Sequence, residues 1–139
     1  MIEFCLSWVS DNRAATHMLL HALVPLIAAY LYVLLASRSL PMLSLKMVFL
    51  LLMATMAVDA DHLIATPIYS PGRCSIWFHP LHTFWPMVIY GLMMASPIGF
   101  QLLKGSISKV QLITGILGAG LVIHMILDWS DCLWMKVCG

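Results

Sequence analysis

The chain has 139 residues, 62% of them hydrophobic and 9% charged, with a formal net charge of +1 and a mean hydropathy of +0.96. A soluble domain carries about 25% charged residues, so this composition excludes a water-soluble globule and a disordered chain. It also supplies no basic patch for nucleic acid. What remains is a chain whose solvent is lipid.

A helix crosses a bilayer core of about 30 Å with about 20 mostly apolar residues, and four stretches qualify. The first covers 17–36 (HMLLHALVPLIAAYLYVLLA). Its Pro25 takes the hydrogen bond away from the carbonyl of His21 and predicts a kink there. The second covers 43–63, with Lys46 near its start and Asp59, Asp61 and His62 near its end. Two further spans cover 84–103 and 110–128. The last contains Gly115, Gly118 and Gly120, small residues that let helices approach closely in lipid. The joints at 37–42 and 104–109 are short, whereas 64–83 is a long, proline-containing loop. No internal repeat or linker divides the chain, and its start lacks the pattern of a cleaved signal peptide. The expected fold is an all-α, four-helix transmembrane bundle forming one domain.

On this topology one membrane face holds the two short joints, with Arg38, Lys46, Lys104 and Lys109. The opposite face receives all six histidines, all five aspartates, all four cysteines and all five tryptophans. Tryptophan at the membrane boundary is an ordinary aromatic belt. No anchoring rule collects every His and Asp at one end, so that end is the functional one. Basic residues number four on the joint face against three (Arg13, Arg73, Lys136) on the loaded face, which orients the loaded face outward. Cys5, Cys74, Cys132 and Cys138 on one side suit an oxidising compartment and two bridges. The expected site is periplasmic or extracytoplasmic.

The spacing of the polar residues is that of a ligand set. Helical residues three or four apart share a face, as do His17 with His21, His124 with Asp128, and Asp59 with His62. His79 and His82 repeat the spacing around Pro80. Asp59 and Asp61 would point about 200° apart on a continuous α-helix, so either the helix breaks there or only one of them enters the site directly. Asp59 lies about 24 Å along the second span at 1.5 Å per residue, near the outer edge of the hydrocarbon. Carboxylates at that depth are costly, and a divalent cation held by imidazole and carboxylate compensates them directly. The imidazole-rich set favours zinc, as one or two ions, while mixed N/O ligation also admits manganese or iron. Asp11 and Asp131 read as solvated rather than ligating. Taken alone, Asp59 and Asp61 read equally well as partners of Arg73.

These motifs resemble the small bacterial membrane-bound metal-dependent hydrolases of the YdjM type. That family shows a histidine opening the first span, D-x-D-H closing a span, H-x-x-H-[ST] in a loop and H-x-x-x-D closing a later span. Here they read as His17 or His21, Asp59-Ala60-Asp61-His62, His79-Pro80-Leu81-His82-Thr83, and His124 to Asp128. The family's D-x-D-H is usually preceded by proline, where this chain has Val58. The type is similar to the zinc phospholipase C and single-strand nuclease superfamily, which implies phosphoester hydrolysis by clustered metals. The resemblance therefore implies a lipid or lipid-linked phosphoester as substrate and metal-activated water as nucleophile.

The expected ligands are His21, Asp61, His62, His82, His124 and Asp128, with His17 and His79 completing a second metal or supporting the first. Asp59 is expected as bridging ligand, histidine orienter or general base, the last being its catalytic role. Two alternatives stand beside this reading. One is a non-enzymatic small subunit of a larger membrane complex with a structural metal; the other is a haem-binding electron-transfer bundle, against which the aspartates argue.

Overall fold

The computed structural model describes residues 12–36, 44–64, 66 and 74–138 of the chain. Four helices carry the described residues: α1 (Arg13–Ala36), α2 (Leu45–Ala54), α3 (Phe84–Lys104) and α4 (Lys109–Cys138). A 3₁₀ segment, Thr55–Ile64, extends α2, and a short 3₁₀ turn, Pro80–His82, precedes α3. There is no strand among the described residues. With the 3₁₀ segment counted, four helical stretches are long and apolar enough to cross a membrane.

The helix boundaries follow local chemistry. Ser44 caps α2 by accepting a hydrogen bond from the Met47 amide at 3.2 Å. Ser108 and Gln111 cap α4 reciprocally: the Gln111 amide donates to Ser108 Oγ at 3.3 Å and the Ser108 amide to Gln111 Oε1 at 2.8 Å. That exchange satisfies two amide donors which a helix start otherwise leaves unmet. Gly105 ends α3 at φ 68°, a left-handed conformation that a side chain would strain. The helix α1 runs on through Pro25, the helical hydrogen bond to the His21 carbonyl being the one that proline cannot make.

Two boundaries depart from the hydropathy reading. The helix α4 extends ten residues past Asp128, to Cys138. Polar residues there do not break it, because Asp131 is held by Arg13 of α1: Nε donates to Oδ1 at 2.9 Å and Nη2 to Oδ2 at 2.7 Å. The second span keeps its apolar run but changes winding at Thr55, where α becomes 3₁₀ for ten residues. Runs of more than three or four such residues are uncommon. Asp11, Arg73 and Arg38 lie outside the described residues, so the pairing of Asp59 and Asp61 with Arg73 is not among the observed contacts.

The packing is organised around α4, which touches α1, α2, α3 and the 3₁₀ segment. In lipid no hydrophobic effect drives helices together, so close approach does. The glycines of α4 supply it: a Cβ on Gly118 would fall 2.3 Å from the Met94 amide nitrogen, and one on Gly120 2.7 Å from Thr55 Cγ2. One apolar cluster, with Ala29, Val48, Leu52, Leu112 and Ile116, fills the joint half of the bundle. A second, with Val58, Ile76, Tyr90, Met125 and Cys132, fills the half that carries the histidines. A Cys74–Cys132 disulfide, spanning 58 residues of sequence, staples the loop before Pro80 to α4. Cys5 and the Cys138 side chain, the components of an expected second bridge, lie outside the described residues.

Candidate metal centre

Among the described residues, three of the four bulkiest fully buried side chains are histidines: His21, His82 and His124. In an apolar bundle this inversion needs a cause, since buried polar groups are costly unless partnered. Four elements deliver them. The helix α1 brings His17 and His21, one turn apart. The 3₁₀ segment brings Asp59, Asp61 and His62, the turn before α3 brings His79 and His82, and α4 brings His124 and Asp128.

The 3₁₀ winding answers the geometric question posed by the D-x-D-H motif. At three residues per turn, positions three apart eclipse. Thr55, Val58 and Asp61 accordingly form one buried face, and Asp59 and His62 share the adjacent, one-third exposed face. Asp59 and Asp61 are then about 120° apart rather than nearly opposed, and both flank the cluster.

Asp128, only 3% exposed, lies at the junction of two groups. Its Oδ1 is 3.3 Å from His21 Nε2 and 3.5 Å from His17 Nε2. Its Oδ2 is 3.0 Å from His82 Nε2 and 3.6 Å from His124 Nε2. Asp59 Oδ1 closes the central group, 3.0 Å from His124 Nε2 and 3.4 Å from His82 Nε2, with His62 Nε2 at 3.6 Å. Asp61, His62 and His79 form a third group, in which the two imidazoles stack 3.7 Å apart. Within each group the donor atoms lie within 4.8 Å of one another. All nine residues singled out by spacing are thus brought together in three adjoining groups.

Several of these atoms are near one another without bonding. His21 Nε2, Asp61 Oδ1, His62 Nε2, His82 Nε2 and Asp128 Oδ2 are buried and make no hydrogen bond. Apart from the hydrogen bond between His124 Nε2 and Asp59 Oδ1 at 3.0 Å, donor atoms that converge at 3.0–3.6 Å without being aligned for hydrogen bonding point at a common centre. A tetrahedral zinc with ligands at about 2.0–2.1 Å has ligand–ligand edges of about 3.4 Å. The residues fit a metal ion of that size. Two imidazoles are also oriented from behind, as metal-ligating histidines are. His21 Nδ1 bonds the His17 carbonyl at 3.0 Å, and His82 Nδ1 bonds Asp61 Oδ2 at 3.2 Å. Each leaves its Nε2 lone pair for a cation. Without one, burial disfavours a charged His82, but its contacts with Asp128, Asp59 and Asp61 outweigh that and push it up to about 10.

Asp131 is an ion-pair partner of Arg13 rather than a ligand. Sequence spacing gave no sign of two further features. Tyr90 and Trp77 bond the loop that carries His82, and their acceptors are backbone carbonyls that no motif encodes.

No curated protein and no solved structure matches the chain. Residues 12–135, which include the whole of the candidate centre, match a family of unknown function. The chain is therefore a member of that family, DUF6122.

Proposed function

We propose that the protein is a membrane-embedded, metal-dependent hydrolase of a lipid or lipid-linked phosphoester, with zinc as its metal. The observation that carries this reading is the convergence of buried, unbonded imidazole and carboxylate atoms from four elements at one end of the spans. The predominance of imidazole favours zinc over the harder cations. Bound zinc supplies a Lewis acid and lowers the pKa of water toward about 7.

The chain's own residues divide the remaining work. Asp128 holds two adjoining groups with its two oxygens, and His17 with His21 and His82 with His124 provide the imidazoles. Asp61 fixes the His82 tautomer from behind. Asp59 and His62, each one-third exposed, form the mouth through which a substrate reaches the cluster, and Asp59 is the carboxylate placed to take a proton there. The partial exposure of these two side chains favours a hydrolase over a subunit with a fully enclosed structural site. The Cys74–Cys132 disulfide supports a periplasmic or extracytoplasmic location.

The test is the purified full chain in detergent, analysed for metal and assayed for phosphate or headgroup release from phospholipids and polyprenyl phosphates. Stoichiometric zinc with release from one substrate class, abolished by chelation, is the expected result. Zinc retained with no release from any substrate would replace this reading with the non-enzymatic subunit, and a haem absorption band would replace both.

A further inference from the structure

The helix α3 contributes no side chain to the three ligand groups, yet it precedes α4 and packs along it. One polar atom reaches from it toward the centre. Tyr90 is 8% exposed within the apolar cluster of the histidine-bearing half. Its hydroxyl donates to the Leu81 carbonyl at 3.1 Å. The Leu81 amide in turn donates to Asp61 Oδ2 at 2.8 Å, and the same oxygen receives His82 Nδ1 at 3.2 Å. The run Tyr90–Leu81–Asp61–His82 ends on an imidazole whose Nε2 lies 3.0 Å from Asp128 Oδ2 and 3.4 Å from Asp59 Oδ1.

The turn is gripped a second time from its other side. The Trp77 amide donates to the His82 carbonyl at 3.1 Å, and Trp77 holds φ 71° to do so, the only positive φ outside glycine among the described residues. A bulky side chain in that region is a costly conformation kept only where surrounding structure imposes it. Both carbonyls of the Leu81–His82 pair are thereby held, one by a phenol and one by a strained amide.

We infer that Tyr90 is a positioning residue for the metal centre: through Leu81 and Asp61 it sets the His82 imidazole in the orientation a cation needs. The inference rests on the metal reading above. Groups behind a ligating histidine are worth about 10–100-fold in metal affinity, and Tyr90 acts one peptide further out. Tyr90→Phe removes one oxygen, keeps the ring and leaves the apolar cluster filled.

The experiment uses the full chain in detergent, with zinc affinity read against a competing chelator and geometry read from the absorption spectrum of the cobalt-substituted protein. Tyr90→Phe is expected to weaken zinc about tenfold, at the low end of that range, and to shift the cobalt bands, with helicity unchanged. Asp61→Asn should weaken zinc further. The double variant should lose less than the product of the two single losses, because both interrupt one chain of contacts. Unaltered zinc affinity and cobalt bands in Tyr90→Phe, beside a wild type that binds both ions, overturn the inference alone. Independent, multiplicative losses in the double variant also overturn it, since they place Tyr90 outside the relay. A wild type that takes up neither ion overturns the metal reading, and this inference with it.

Discussion

Asp128→Ala is the most demanding perturbation of the candidate centre, because one carboxylate faces two candidate ligand groups. Its Oδ1 faces His17 and His21 at 3.5 and 3.3 Å, and its Oδ2 faces His82 and His124 at 3.0 and 3.6 Å. Structural zinc sites of four ligands bind with about 10–16 kcal/mol, or about 2.5–4 kcal/mol per ligand when shared equally. That corresponds to about 10²–10³-fold in affinity for each ion the ligand touches. Loss of Asp128 should therefore raise the dissociation constants of both groups, not one. The assay is zinc titration against a chelator of known affinity, with total metal measured after desalting. Asp131→Ala is the matched control: it stands one helical turn further along α4, and its partner is Arg13 instead of the histidines. Asp128→Ala protein that keeps wild-type stoichiometry and affinity would refute the shared-ligand geometry. So would an equal loss in Asp131→Ala, which would make the effect one of general α4 stability.

Removing the Cys74–Cys132 bridge by Cys132→Ser should destabilise the protein by at most about 4 kcal/mol, the chain-entropy value for closing a loop of this length, read as a shift in thermal unfolding in detergent; no shift would mean the bridge does not form. If the histidine-bearing end faces an oxidising compartment, thiol labels on intact cells should react with these two cysteines only after reduction, and labelling only after inner-membrane permeabilisation without reductant would reverse the orientation. Gly118→Ala should cost about 1–3 kcal/mol as an overpacked contact, because its Cβ would lie 2.3 Å from the Met94 amide nitrogen; unfolding by denaturant titration measures it. In the metal-free protein the raised His82 contributes stability that is fully present below about 6.5 and is lost as pH rises toward about 10. On the proposed reading, zinc affinity should run the opposite way, strengthening over the same interval as protons cease to compete, and parallel metal titrations and melts across that range would expose a failure of either slope.

Much of the architecture is legible without coordinates because lipid makes a strict demand on composition. Apolar runs of about 20 residues can do little but span, and glycines at 115, 118 and 120 signal close contact on α4. The centre is equally legible, since His and Asp in spans are too costly to be scattered by chance and their three- and four-residue spacings show which share a face. Periodicity could not reveal the change of winding at Thr55, because Met56, Ala57 and Val58 suit either helix type. Nor could it reveal that α4 continues through Asp131 to Cys138. That continuation carries an ion pair with Arg13, 118 residues away. Tyr90 reads as one more apolar-span aromatic, because its partner is a main-chain oxygen common to every residue type.

The ten-residue 3₁₀ segment makes this part of the chain sensitive to length in a way its neighbours are not. Between Thr55 and Asp61 the chain makes two full turns, whereas the same six residues wound as α would leave Asp61 about 120° off the buried face. One inserted or deleted residue in that interval turns everything beyond it by about 120° and moves it about 2 Å along the axis. Asp61 would then leave Leu81 and His82, and His62 would leave His79, all in one event. Substitutions at Met56, Ala57 or Ala60, which are not fully buried, disturb none of that arithmetic. Evolutionary change here should therefore run through replacement of residues, with every insertion or deletion confined to the segments on either side.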